Sequence, residues 1–133
     1  MNAAKRILVV DDDPDYLDQV AMTLKSEGYE VTAAGSEEEA EEALLSAAPD
    51  LCVLDLMMEH QDSGFVLCHH IKKLYPEVPV VLLTGVRSST GLDFAARSRD
   101  AASWIKADAF LDKPVRPEQL RSEVARLLAA VPA

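Results

Sequence analysis

Basic residues are scarce in this chain: 13 Lys and Arg stand against 23 Asp and Glu, for a formal charge of −10. A surface that holds a phosphate backbone needs clustered Lys and Arg, so direct nucleic-acid binding is not expected. Long apolar runs are missing too. Nothing approaches the roughly 18 consecutive apolar residues of a membrane helix, so no membrane partner is expected. Lys5-Arg6 is followed by only four apolar residues before Asp11, which is not the pattern of a secretory signal. Cysteine is limited to Cys52 and Cys68, both in apolar surroundings and without metal-ligand spacing. They are expected as buried thiols in a reducing compartment, which points to the cytoplasm. What is present is an apolar content of 49% in 133 residues, enough for one core and too little chain for two domains.

Five short apolar runs alternate with five segments of helical period. The runs are Ile7-Leu8-Val9-Val10, a stretch around Val31, Leu51-Cys52-Val53-Leu54, Val80-Val81-Leu82-Leu83 and Ala109-Phe110-Leu111. The continuous ones suit strands covered on both faces of a parallel sheet. Glu30-Val31-Thr32-Ala33 alternates instead, as an edge strand does. Leu17, Val20, Ala21 and Leu24 keep the i, i+3, i+4, i+7 pattern behind Pro14, and Gly28 should stop that helix. Ser36 and Glu39 form a capping box ahead of a buried stripe of Ala40, Ala43, Leu44 and Ala47. Leu67, Ile71 and Leu74 face inward from a third helix, and Leu120, Val124, Leu127 and Leu128 from a last one opened by Pro117. Strand alternating with helix five times predicts an α/β fold, (βα)5, with right-handed crossovers and helices on both faces of a doubly wound sheet.

In such sheets, sites form outside the carboxyl ends of the strands, near the point where strand order reverses. There the first run delivers Asp11-Asp12-Asp13, the third Asp55, the fourth Thr84 and the fifth Lys113. Neighbouring strands lie about 4.8 Å apart, so carboxylates from the first and third converge if those strands are adjacent. Like charges that close need a cation, and an all-oxygen donor set favours Mg²⁺ over zinc or copper. Lys113 and Thr84 suit a phosphoryl group: the ammonium neutralises one anionic oxygen and the hydroxyl donates to another.

With these pieces in order, the chain resembles the receiver domain of bacterial response regulators. The matching segments are Ile7 to Pro14, Pro49 to Met58, Ser63-Gly64-Phe65, Pro79 to Gly85 and Phe110 to Pro114, which together span nearly the whole sequence. The resemblance implies a flavodoxin-like five-stranded parallel sheet in the order 2-1-3-4-5, and a single receiver domain over 1–133 with no output domain. It implies that Asp55 accepts a phosphoryl group from a histidine kinase, a histidine phosphotransfer protein or a small acyl phosphate. Mg²⁺ would be held by Asp11, Asp12, Asp55 and the backbone carbonyl of Met57. Thr84 and Lys113 would hold the phosphoryl oxygens, and Lys113-Pro114 would be a cis peptide. Thr84 and Phe110 would form the switch, with output through a protein partner, or a homodimer, on the face built from the fourth and fifth helical segments and the fifth strand. On this reading the protein is no enzyme beyond its own aspartyl phosphorylation and dephosphorylation.

Two stretches depart from the family pattern. The segment from Asp55 to Gly64 lacks the usual proline and is one residue longer, and the stretch from Thr84 to Lys113 is several residues longer, with Trp104 inside it. The second change falls on the face that usually meets partners. Plainer readings exist for single residues: Asp13 or Asp15 as a helix cap, Phe110 and Trp104 as packing, and His69 and His70 as partly exposed helix residues about 100° apart; His60, in the loop after Asp55, is instead a candidate for tuning dephosphorylation. Rival classes are a haloacid-dehalogenase-type phosphatase using Asp11-x-Asp13, a receiver-like module that works without phosphorylation, and a flavin-binding protein of the same fold. The acidic triplet would repel a flavin phosphate.

Overall fold

Within each apolar run, successive side chains point to opposite sides of the backbone, so a continuous run feeds two cores at once. The computed structural model describes residues 4–55, 63–84, 107–113 and 115–130. Its strands are β1 (Arg6–Val10), β2 (Glu30–Ala34), β3 (Leu51–Asp55), β4 (Val80–Thr84) and β5 (Ala109–Asp112). All neighbours pair in parallel in the order β2-β1-β3-β4-β5, so the chain has the doubly wound, flavodoxin-like sheet expected of it.

The described helices are α1 (Pro14–Lys25), α2 (Glu37–Ser46), α3 (Ser63–Leu74) and α4 (Pro117–Ala130), the last being the fifth helical segment of the sequence. Leu8, Val10, Cys52, Leu54, Val80 and Leu82 meet Ala40 and Leu44 of α2 and Leu67, Cys68 and Ile71 of α3. Ile7, Val9, Leu51, Val53, Val81 and Leu83 meet Val20 and Leu24 of α1 and Leu120, Val124 and Leu127 of α4. The edge strand β2 buries only Ala34 fully, as its alternating pattern predicts.

Local signals in the sequence account for the helix boundaries. Asp13 caps α1, its carboxylate accepting from the Asp15 and Tyr16 N–H groups, and Pro14 follows in the first turn. Gly28 has φ +91° where the chain turns toward β2. Ser36 caps α2 through the Glu39 N–H, and the Glu39 carboxylate reaches back to accept from the Gly35 N–H. Two stripe assignments need correction. Ala47 is exposed because α2 ends at Ser46, and Leu74, the last residue of α3, is 42% exposed although Ile71 one turn earlier is buried. One brace carried no sequence signal. Lys72 Nζ donates to the Val78 carbonyl and to Asp108 Oδ2, both at 2.8 Å, while the same Asp108 oxygen accepts from the Val80 N–H. This ties the end of α3 to the first residues of β4 and β5.

The expected fourth helical segment, Trp104, His60 and Pro114 lie outside the described residues, and with them the cis peptide.

Candidate functional site

Strand register builds the site. Val10 pairs with Leu54, so Asp11 and Asp55 leave adjacent strands side by side at their carboxyl ends. Asp55 pairs with Leu83 and Thr84 with Asp112, which sets Lys113 one step beyond the sheet on the same edge. Among the described residues, Asp11 and Asp55 are the buried charged side chains, at 2% and 6% exposure. A carboxylate this far from water needs partners.

Lys113 supplies one. Its Nζ donates to Asp11 Oδ2 at 2.8 Å and lies 3.3 Å from Asp55 Oδ1. Burial pulls the ammonium's pKa down, but the hydrogen bond to Asp11 and the charges of Asp55 and Asp11 outweigh it, leaving it above the usual lysine value. Asp11 Oδ1 accepts from the Asp13 N–H at 2.9 Å, so both oxygens of Asp11 are engaged. Asp12 is exposed. The three neighbouring aspartates of the sequence therefore do three jobs: Asp11 is buried beside Asp55, Asp12 faces solvent at the rim, and Asp13 caps α1. The Asp13 carboxylate is engaged in capping the helix, which counts against Asp11-x-Asp13 as the paired nucleophile and acid of a dehalogenase-type phosphatase.

Carboxylate oxygens of Asp11, Asp12 and Asp55 all lie within 4.8 Å of one another. Oxygens bound to one Mg²⁺ at about 2.1 Å are at most about 4.2 Å apart, so a small side-chain adjustment would bring all three into one coordination sphere. An all-oxygen set with one ammonium for three carboxylates carries excess negative charge, which a divalent cation would offset. The residues fit a hard divalent ion.

Other expected site residues divide. Phe110 is half-buried on β5 against the α2–α3 side of the sheet. Thr84 ends β4, but its side chain, like Met57 entirely, lies outside the described residues. Sequence reasoning missed Tyr16, whose ring centroid lies 4.3 Å from Lys113 Nζ. Its place in the first turn of a helix opening at the acidic edge was the available signal.

A parallel sheet of this order, with buried carboxylates, a lysine and a metal-competent acidic edge at its strand ends, defines a class of small α/β signalling domain. Residues 7–125 match the response regulator receiver domain family, and the chain belongs to that family. It is a receiver domain of a two-component system. Among its relatives, the probable transcriptional regulatory protein TcrX of Mycobacterium tuberculosis is 33% identical over 122 residues, 92% of this chain and 49% of the relative. The DNA-binding response regulator MtrA of Mycolicibacterium smegmatis is 32% identical over 124 residues, 92% of this chain and 50% of the relative. The chain thus spans about half the length of these curated relatives. A CheY-like receiver domain structure from Methanospirillum hungatei has TM-score 0.78 and 29% identity, covering 96% of this chain and 95% of that one.

Proposed function

We propose that this receiver domain is a phosphoacceptor switch in which Asp55 is the nucleophile and Mg²⁺ the cofactor. The observation that carries it is the buried Asp55 carboxylate at the end of β3, 3.3 Å from Lys113 Nζ and grouped with the oxygens of Asp11 and Asp12. An Asp55 oxygen attacks the phosphorus of a phosphohistidine or an acyl phosphate. The bond from phosphorus to the donor's nitrogen or oxygen breaks, the donor leaves with that electron pair, and an aspartyl phosphate remains. Lys113 pairs with a phosphoryl oxygen, and Thr84 donates to another from the end of β4. Asp11, Asp12, Asp55 and the Met57 carbonyl would hold the ion, which when bound would neutralise charge on the transferring group.

Chemistry at Asp55 is confined to its own phosphorylation and dephosphorylation, so the domain is no enzyme toward other substrates. A histidine kinase or phosphotransfer protein is the donor, and output passes to a protein partner or a second copy over the face built from the fourth helical segment, β5 and α4. Phe110, on β5, is the switch aromatic. The charge of −10 argues against direct contact of this chain with nucleic acid, although MtrA is named a DNA-binding regulator. No described helix is long and apolar enough to cross a membrane, and two reduced, buried cysteines favour the cytoplasm.

Intact mass after incubation with acetyl phosphate tests the reading. Wild type gains one phosphoryl group only with Mg²⁺, and Asp55→Asn gains none. No gain under any condition overturns it.

A further inference from the structure

Around Lys113 the contacts close on themselves. Asp11 Oδ1 accepts from the Asp13 N–H at 2.9 Å, and Asp13 Oδ1 accepts from the Tyr16 N–H at 3.4 Å. The Tyr16 ring lies under Lys113 Nζ at 4.3 Å, and Lys113 Nζ donates to Asp11 Oδ2 at 2.8 Å. The Tyr16 hydroxyl also accepts from the Val115 N–H at 3.0 Å, two residues beyond Lys113. One side chain thus grips the lysine by its charge and the following backbone by a hydrogen bond.

Lys113 follows β5, an edge strand of four residues, and it carries a long, flexible stem. Nothing in β5 itself dictates where its ammonium points. The helix N-terminus does, because Asp13 and Pro14 set the first turn of α1 and place Tyr16 across from the strand end.

We propose that Tyr16 is a positioning residue for phosphoryl transfer, holding the Lys113 ammonium over Asp11 and Asp55 through its ring face and its hydroxyl. The proposal rests on the reading of Asp55 as phosphoacceptor. Tyr16 touches no reacting atom and acts through Lys113. An attraction between an ammonium and an aromatic face of this kind is enough to change a rate severalfold.

Two substitutions separate the contacts. Tyr16→Phe keeps the ring and drops the hydroxyl; Tyr16→Leu drops the ring and keeps apolar bulk. With acetyl phosphate and saturating Mg²⁺, Tyr16→Leu should slow phosphoryl incorporation about three- to tenfold, and Tyr16→Phe about twofold or less. The Mg²⁺ concentration giving half the maximal rate should stay that of wild type. In a Lys113→Ala background, Tyr16→Leu should cause no further loss. A Tyr16→Leu rate equal to wild type overturns the proposal, and so does a slowing that persists in full without Lys113. If wild type takes no phosphoryl group, the reading of Asp55 fails, and NMR still decides the clamp. The Lys113 ε-methylene protons should be shifted upfield by the ring in wild type and Tyr16→Phe, and not in Tyr16→Leu. Unshifted protons in wild type overturn the clamp itself.

Discussion

Among the described residues, Asp11, Asp55, Cys52 and Cys68 are the titratable groups taken furthest from water, and they differ in what compensates them. The two carboxylates share an ammonium. For the two thiols burial dominates, pushing Cys68 up to about 11 and Cys52 further still, with nearby Lys72 offsetting it only in part. An unfolded thiol ionises near pH 8.5. The folded state therefore holds more protons than the unfolded chain between about pH 9 and pH 11, and stability falls as pH rises through that window. Lys113, whose pKa is also raised, adds the same sign. Urea melts at stepped alkaline pH should show the fall, and Cys68→Ala should flatten it. At pH 8 iodoacetamide should leave both thiols unmodified in the native protein and alkylate both in urea, as read by mass. Rapid native alkylation would contradict the burial.

At the scale of elements, the helices differ in how much packing supports their ends. α2 fully buries only Ala40 and Leu44, helped by the Tyr75 hydroxyl donating to the Leu44 carbonyl at 2.7 Å. Its cap then matters more than that of a helix with a wide buried stripe. Ser36→Ala should cost about 1 kcal/mol in a urea melt. Gly28→Ala should cost about 1–2 kcal/mol, since φ +91° disfavours any side chain there and nothing lies within 4 Å of an added Cβ to compensate or clash. Gly28→Asn should cost less, because asparagine tolerates that backbone region better. Equal costs for Ala and Asn would mean that something other than the backbone sets the penalty.

For the whole molecule, the acidic edge is a stress that folding creates. Asp55 is far along the chain from the adjacent Asp11 and Asp12, and folding brings oxygens of all three within 4.8 Å of one another. Mg²⁺ bound there would stabilise the native state alone, by about 1.4 kcal/mol at ten times its Kd. That shifts Tm up by roughly 4 °C for a domain of this size. Asp12→Asn should shrink the shift, and a Tm indifferent to millimolar Mg²⁺ in wild type would remove the ion from the account.

Much of this protein is written locally. The apolar runs, the Pro14 and Ser36 helix starts and the Gly28 turn are legible because strand burial, capping and positive φ depend on neighbours a few residues away. The placement of Asp11, Asp12, Asp55 and Lys113 followed from one further rule, that parallel sheets gather their strand ends on one edge. Which aspartate caps, which is buried and which stays at the rim was decided only by tertiary structure. All three have the same chemistry, and register and helix entry alone distinguish them. The Lys72–Asp108 brace and the Tyr16–Lys113 contact belong there too: each joins residues many positions apart, and such pairs have no period or spacing to betray them.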